Sequence, residues 1–327
     1  MRRRVLTFLV GLCALGAQAD DPDMFGFLDF SVFNVFNVFK NSTDGKDAKA
    51  TKADKDTKDV KDTQDIKRKW GLDFITLTAG ADVRSAYLSR AKVCEARPMS
   101  SQTVSGDIQL YPIHLPGRVG IDFWTISSLT HKMDTIHKNM FFQERDFTLR
   151  YGYDWEIAEG WRLANDVMST WVNLPGYRHD LGLDYCRHEW RLAQRLDNPW
   201  VTPYYLIRRS VHPDDWLYVR IGAQHAFHLT DTISLTPNFY AECGNDRHFR
   251  QRYGANDPYW ASYHDGVQAL NAVLTLSWKV TKWASLFASV QQFDIVDDDA
   301  RDRTKARKTH NSRRDLTVGT VGVVCRF

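Results

Sequence analysis

The chain has 327 residues, with 43 Lys and Arg against 40 Asp and Glu and a formal net charge of +3. Because acidic residues offset the basic ones almost one for one, the composition gives no support to nucleic-acid binding. Beyond the amino-terminal leader no apolar run reaches about 18 residues, which argues against a transmembrane helix there. The polar mean hydropathy of -0.44 still allows a membrane protein that crosses with strands, because its loops, turns and lumen are polar.

The amino terminus has the three parts of a secretory signal peptide. Residues 2–4 are basic, residues 5–15 are apolar, and a small-x-small sequence ends at Ala19. Cys13 raises the alternative of a lipid anchor, but a large residue precedes it where lipid attachment needs a small one. We therefore predict a signal peptide over residues 1–19 and an exported protein of a Gram-negative envelope.

Two segments of different composition follow the leader. Residues 20–40 are rich in aromatics, and polar residues at Ser31, Asn34 and Asn37 leave one narrow polar stripe, which predicts an amphipathic interfacial helix. This segment could lie on the inner leaflet, dock on or plug the following domain, or have no specific role. Residues 41–69 are mainly Lys, Asp, Thr and Ala, which predicts a disordered periplasmic linker.

From Trp70 onward, apolar and polar residues alternate with period two, as expected of strands with one apolar face. We predict twelve strands, near residues 75–84, 104–113, 119–123, 147–155, 161–171, 181–192, 200–210, 217–224, 233–242, 270–279, 284–291 and 316–327. Residues 185–196 also fit a helix, but the Asp-Asn-Pro turn that follows favours a strand.

The last strand stops on Phe327, which looks like the terminal strand of a bacterial outer-membrane barrel, whose final aromatic is the signal read by the barrel-assembly machinery. An ordinary closing strand of a soluble β-domain is the alternative. Three further patterns favour the barrel: an even strand count, short turns alternating with longer loops, and tryptophans near strand ends. These tryptophans are Trp70, Trp155, Trp161, Trp171, Trp200, Trp216, Trp278 and Trp283. The longer loops follow the first, third, seventh, ninth and eleventh strands. We predict a closed antiparallel transmembrane β-barrel of about 12 strands over residues 70–327, in the cell outer membrane.

The polar face of the predicted strands gives a set of candidate pore-lining residues of both charge signs. They are Asp82, Arg84, Asp107, Asp122, Arg150, Asp154, Arg162, Asp166, Arg220, Glu242 and Lys279. Such a lining could hold water in a narrow solute-sized pore, or it could brace the wall with salt bridges, and the sequence leaves both open. Neither sign dominates, so no ion preference follows.

Basic residues are numerous in the predicted outer loops, among them Arg90, Lys92 and Arg97. They could pair with lipopolysaccharide phosphates, or they could simply keep exposed loops charged. Four cysteines remain after cleavage: Cys94, Cys186, Cys243 and Cys325. A bridge between Cys94 and Cys243 is an alternative to free thiols, and Cys325 is expected on the lipid face. No Cys or His spacing predicts a metal site or a cofactor.

A catalytic function would require a specific arrangement of residues that the sequence does not offer. A barrel phospholipase would need Ser, His and Asn together on the outer wall. Residues 309–312 contain these three residue types, but they lie in a polar stretch that is typical of a loop. A barrel protease would need acidic residues and His at the outer rim. His264 with Asp265, and residues 297–299, are of these types, but they are explained by the ordinary polarity of loops. We therefore predict no enzyme.

The first strand and its exit carry Ser85, Tyr87 and Arg90 in the pattern S-x-Y-x-x-R. This stretch resembles the opening of a family of uncharacterised porin-like outer-membrane barrels that read S-x-Y-x-x-R-G there, although Ala91 stands where that family has Gly. The resemblance implies a twelve-stranded barrel near the nucleoside-channel-like and scaffold-interacting barrels, and no substrate. The sequence thus predicts a passive channel for small polar solutes. The alternatives are a non-conducting structural or interaction barrel that binds a periplasmic or envelope partner, and a soluble periplasmic β-protein. The oligomeric state stays open.

Overall fold

The structure is a computed structural model that describes residues 74–129, 143–178, 183–212, 215–253, 265–306 and 313–327. Its twelve long strands are β1 (Ile75–Arg84), β2 (Met99–Gln109), β3 (Arg118–Ser128), β4 (Gln143–Ala158), β5 (Trp161–Arg178), β6 (Leu183–Asp197), β7 (Thr202–His212), β8 (Leu217–Gln224), β9 (Ile233–Gly244), β10 (Gly266–Lys279), β11 (Ala284–Ile295) and β12 (Asp315–Arg326). Two helices, α1 (Asp246–Tyr253) and α2 (Asp298–Ala306), lie in the connections after β9 and β11. The predicted signal peptide, aromatic segment and linker lie outside the described residues.

The strands close into a barrel because each pairs antiparallel with its neighbours in the chain and the last pairs with the first. The seam between β12 and β1 aligns Val323 with Ala81 and continues to the carboxy terminus. There the Phe327 N–H donates to the Leu77 carbonyl at 2.9 Å, and the Leu77 N–H donates to the Phe327 carbonyl at 3.1 Å. A closed barrel leaves no unpaired sheet edge. The predicted twelve-stranded antiparallel barrel is confirmed.

The outer and inner faces of the wall differ in chemistry. On β1, Leu77 and Val83 point outward and are 52% and 45% exposed, whereas Asp82 and Arg84 point inward and are buried. The same division follows from the alternating burial of the other strands, and the outer face carries a row of rings from Phe123 on β3 to His188 on β6. An apolar outer belt with aromatic rows around a polar interior is the surface of a transmembrane barrel. The protein is an outer-membrane β-barrel, and its belt contacts membrane lipid.

We call the end of the barrel where β1 begins and β12 ends the turn end, and the opposite end the loop end. Short turns such as residues 159–160 and 280–283 lie at the turn end, and β9 and β11 end at the loop end, where their long connections to the next strand begin. Outer-membrane barrels as a class have short periplasmic turns and longer extracellular loops, so the turn end corresponds to the periplasmic side. Neither helix of the described residues is both long and apolar enough to cross a bilayer.

Three local predictions are corrected by the structure. The second strand ends at Gln109, because Tyr111–Ile113 form a 3-10 turn in which Pro112 has no N–H for a strand ladder. The seventh strand begins at Thr202, since the Asn198 side chain holds the two preceding N–H groups in a turn. The connection after β7, predicted to be long, comprises only residues 213–216. The strand interpretation of residues 185–196 is confirmed.

Candidate functional site in the barrel lumen

The connection between β1 and β2 turns into the barrel instead of covering its rim. We call residues 85–98 the inner loop. It contains a small hairpin of Tyr87–Leu88 with Val93–Glu95, and its tip has positive φ angles of 51° at Arg90 and 60° at Ala91. Tyr87, Arg90 and Ala91 are almost fully buried. A loop that lay on the surface would expose these residues to solvent.

Contacts of the inner loop reach three distant strands of the wall. The Tyr87 hydroxyl donates to Glu144 on β4 at 2.8 Å. The Arg90 guanidinium donates to Glu189 on β6 at 2.8 Å, and the Ala91 N–H donates to Glu242 on β9 at 3.1 Å. Because β6 lies across a twelve-stranded barrel from β1, the inner loop crosses the lumen.

The position of Arg90 corrects the prediction that it lies in an exposed outer loop and pairs with lipopolysaccharide. Its side chain is 2% exposed and pairs with Glu189 at 2.8 Å and Glu144 at 3.7 Å. Burial acts to lower the pKa of Arg90, but the two carboxylates outweigh it and raise that pKa above its ordinary value. A buried guanidinium needs such partners, so the acids of the far wall hold the loop inside.

Glu189 is the centre of an ionic cluster and has no exposed side-chain surface. Arg187, Arg191 and Arg208 approach its carboxylate at 2.6, 3.0 and 3.1 Å, and Arg90 completes the group. Arg191 also pairs with Asp146 on β4 at 3.2 Å. Residues 187, 189 and 191 alternate along β6 and therefore share its inner face. The sequence interpretation missed this cluster, although charge at every second position of β6 was its visible signal.

A second ionic network lies nearer the turn end. Arg150 pairs with Asp122 and Asp107, both at 3.0 Å. Arg118 pairs with Asp154 at 2.9 Å and with Asp166 at 2.8 Å, and Arg162 pairs with Asp197 at 2.6 Å. The side chains of Asp107, Asp154 and Asp166 are 22%, 21% and 20% exposed. Water therefore reaches this half of the lumen, in contrast to the surroundings of Glu189.

Inward glycines make room for the arginines of the second network. A Cβ atom on Gly152 would lie 2.5 Å from an Asp166 carboxylate oxygen and 2.6 Å from the Arg118 guanidinium carbon. A Cβ atom on Gly120 would lie 2.7 Å from an Asp107 oxygen. A Cβ atom does not fit at distances this short. The absence of a side chain at these two glycines therefore leaves space for the ion pairs against the wall.

All of the predicted pore-lining residues have inward positions on the strands. Among the described residues, each of them except Lys279 takes part in an ion pair. Asp82 pairs with Arg84 at 2.7 Å, and Glu242 pairs with Arg220 at 3.0 Å. Bracing of the wall is thus one role of these side chains. Contact with a passing solute stays a prediction.

The other side of the inner loop packs in an apolar cluster at the loop end. Ala91 and Val93 of the loop are 1% exposed and form one cluster with Phe249 and Tyr253 of α1. The remaining members are Ala269, Phe293, Ile295 and Ala300. The Tyr253 hydroxyl also donates to the Ala91 carbonyl. The inner loop therefore contacts ionic side chains of the wall on one side and this apolar cluster on the other.

The described residues place one serine beside one histidine on the outer wall. The Ser169 hydroxyl lies 2.8 Å from His188 Nε2, and the imidazole stacks on Trp171. No carboxylate or amide side chain within the described ranges hydrogen-bonds this imidazole, whereas a catalytic base is oriented by a third group. In the apolar outer belt, this hydrogen bond gives a partner to the Ser169 hydroxyl and to one ring nitrogen of His188. Residues 309–312 and His264 lie outside the described residues, and Asp297 caps α2.

Among the described residues, Cys94, Cys186, Cys243 and Cys325 form no disulfide bond with one another, and Cys325 lies on the outward row of β12 with its side chain covered. Over the part of the chain that the structure describes, no group of three His, Cys, Asp or Glu side chains could hold a metal ion. His248 is fully buried on α1 and its Nδ1 lies 2.9 Å from the Gln268 amide oxygen.

Comparisons with known proteins find similar barrels among solved structures. A KdgM porin is 9% identical with a TM-score of 0.41, over 77% of this chain and 99% of that chain. An outer-membrane channel from Pseudomonas putida F1 is 10% identical with a TM-score of 0.47, over 77% and 95%. The outer membrane phospholipase A from Escherichia coli is 13% identical with a TM-score of 0.42, over 76% and 92%. No family model matches the sequence, and no curated protein matches it.

Proposed function

We propose that the protein is a passive outer-membrane channel for small polar solutes. The observation that carries this proposal is the polar lining of a closed barrel: ionic side chains follow the inner wall, and those near the turn end remain partly exposed. Such a lining holds water and disfavours an apolar ligand. Two of the similar structures bear the names of channel proteins, a porin and an outer-membrane channel, which agrees with the proposal.

Both charge signs line the lumen in nearly equal number, so we propose selection by size and polarity. In the second network Arg118 and Arg150 alternate with Asp122, Asp154 and Asp166. A solute with several hydroxyl groups can exchange hydrogen bonds with such a wall. We also propose that Phe327 is the signal for the barrel-assembly machinery and that exposed basic loop residues contact lipopolysaccharide.

The test is ion conductance in planar bilayers and sugar-driven swelling of liposomes. The full mature chain is compared with a chain that lacks residues 20–69 and with a chain that also has residues 86–96 replaced by two glycines. Current in any of the three supports the channel. If all three insert as folded barrels and none conducts, the protein is not a channel and a structural or interaction role takes its place.

A further inference from the structure

We propose that the inner loop is a displaceable plug that closes the loop end of the lumen, and that Arg90 is the positioning residue that holds it there. This inference rests on the proposed channel function. Residues 85–98 close the lumen in this proposal, and loss of the ion pairs of Arg90 with Glu189 and Glu144 releases them.

On the ionic side, the loop fills the space in front of β3, β4 and β6. Tyr87 packs on Trp124 with ring centroids 5.9 Å apart and donates to Glu144 at 2.8 Å. Arg90 reaches Glu189 at 2.8 Å. Glu144 and Glu189 are 3% and 0% exposed. Carboxylates that were open to a water-filled pore would keep exposed oxygens, so the loop seals this side.

On the apolar side, the loop fills the space between α1, α2 and β11. Ala91 and Val93 pack with Phe249, Phe293 and Ala300, all of which are at most 1% exposed. An apolar constriction of this kind resists wetting and blocks the passage of ions. The two sides together close the loop end across the described residues.

The barrel wall does not depend on the inner loop. Pairing of β1 with β2 runs from Ile75 with Ile108 to Arg84 with Met99, and the loop begins only beyond that pair. The register of β1 with β12 ends at Arg84 with Thr320, and only Ser85 at the base of the loop continues it, through a backbone hydrogen bond to the Gly319 carbonyl at 2.9 Å. The wall can therefore stay closed while the loop leaves the lumen.

The tip of the loop carries backbone strain that the closed position must offset. Arg90 and Ala91 both have left-handed φ angles, 51° and 60°, a backbone conformation that non-glycine residues rarely adopt. The contacts that hold this conformation are the ion pair with Glu189 and the Ala91 hydrogen bonds to Glu242 and Tyr253. Loss of the ion pair should shift the balance toward the open loop.

The substitution Arg90→Ala in the full mature chain tests this inference. Arg209→Ala is the matched control, because Arg209 lies near the loop end, is 62% exposed and pairs with the exposed Asp215 at 3.2 Å. Conductance is measured in planar bilayers, in chains with and without residues 20–69. The second readout is labelling of the native Cys94 by a membrane-impermeant maleimide, with the other three cysteines replaced by serine. Cys94 is half-buried in the loop, so labelling follows the loop even where no current flows.

The expected result for Arg90→Ala is a conductance at least about threefold above that of the unsubstituted chain, because conductance grows with the open cross-section of the lumen. Labelling of Cys94 should be several-fold faster, because the half-buried thiol gains exposure when the loop leaves the lumen. Arg209→Ala should change neither quantity. Fold is checked by the faster gel mobility of an unheated barrel.

Three outcomes overturn the plug. Equal conductance of the unsubstituted chain and of the chain with residues 86–96 replaced by two glycines shows that the loop does not obstruct the lumen, while the channel proposal survives. Unchanged labelling and conductance in folded Arg90→Ala shows that Arg90 does not hold the loop. The absence of current in every folded variant, including the loop replacement, refutes both the plug and the channel.

Discussion

Replacement of Glu189 by glutamine probes the ionic cluster at the middle of the lumen. The substitution keeps the side-chain volume but removes the one negative charge that four arginines share. Arg90, Arg187, Arg191 and Arg208 lie between 2.6 and 3.1 Å from its oxygens, and the side chain has no exposed surface. The guanidinium groups would then repel one another without the carboxylate between them, and the amide N–H₂ would face donors instead of acceptors.

Removal of one partner from a buried ion pair costs about 3–5 kcal/mol, because the remaining charge stays buried. Individual charge-assisted hydrogen bonds contribute about 1.5–3 kcal/mol, but values for one network do not add. We therefore expect Glu189→Gln to lower the free energy of unfolding by about 3–5 kcal/mol. At a denaturant slope of about 1–3 kcal/mol per M, the urea midpoint should fall by about 1–5 M.

The assay is urea unfolding of the refolded barrel in lipid, followed by tryptophan fluorescence. The control is Glu156→Gln at the exposed end of β4, which should stay within about 0.5 kcal/mol of the unsubstituted protein. Adding Arg187→Met to Glu189→Gln should restore part of the loss, because it removes one uncompensated charge. A Glu189→Gln barrel that unfolds within about 1 kcal/mol of the control would show that the cluster is not a buried ionic centre.

Two further predictions concern the wall. Deletion of Phe327 removes both hydrogen bonds with Leu77 at the seam, so we expect less folded barrel in membranes, measured by gel mobility, with unchanged conductance per inserted molecule; normal insertion would contradict an assembly role. Gly152→Ala places a methyl group 2.5 Å from Asp166 and should cost about 1–3 kcal/mol in the same urea assay. Gly319→Ala is its control, since a Cβ there meets nothing within 4 Å, and equal losses in both would refute the packing argument.

The strands were predictable because apolar, lipid-facing residues alternate strictly with polar residues along them. The bounds of β8, Leu217–Gln224, agree with the sequence pattern at both ends. The period alone also places Asp82, Arg84 and Arg220 on the inner face. Strand ends followed the pattern less well where a side chain decides the turn, as Asn198 does before β7. Such a local hydrogen bond leaves no trace in hydrophobic periodicity.

The partners of the inward charges were not predictable from the pattern. Arg118 of β3 pairs with Asp154 of β4 and Asp166 of β5, so it reaches over two neighbouring strands. Which carboxylate it meets depends on the stagger of the strands around the barrel, which is a property of closure and not of any one strand. Glu189 was missed for the same reason. Its four arginines come from the inner loop, β6 and β7, and only the closed barrel brings them together.

The direction of the inner loop could not be predicted from its sequence, although the sequence contains a recognisable short motif. Ser85, Tyr87 and Arg90 resemble the opening of a barrel family, and their spacing gave no direction for the chain. In the structure Ser85 accepts a hydrogen bond from the Gly319 N–H at 3.0 Å, Tyr87 meets β4 and Arg90 meets β6. Ala91, the position after the arginine, has a φ of 60°, a conformation that favours glycine. The three side chains and the turn together direct the loop across the lumen, so this short stretch of sequence sets the position of the loop.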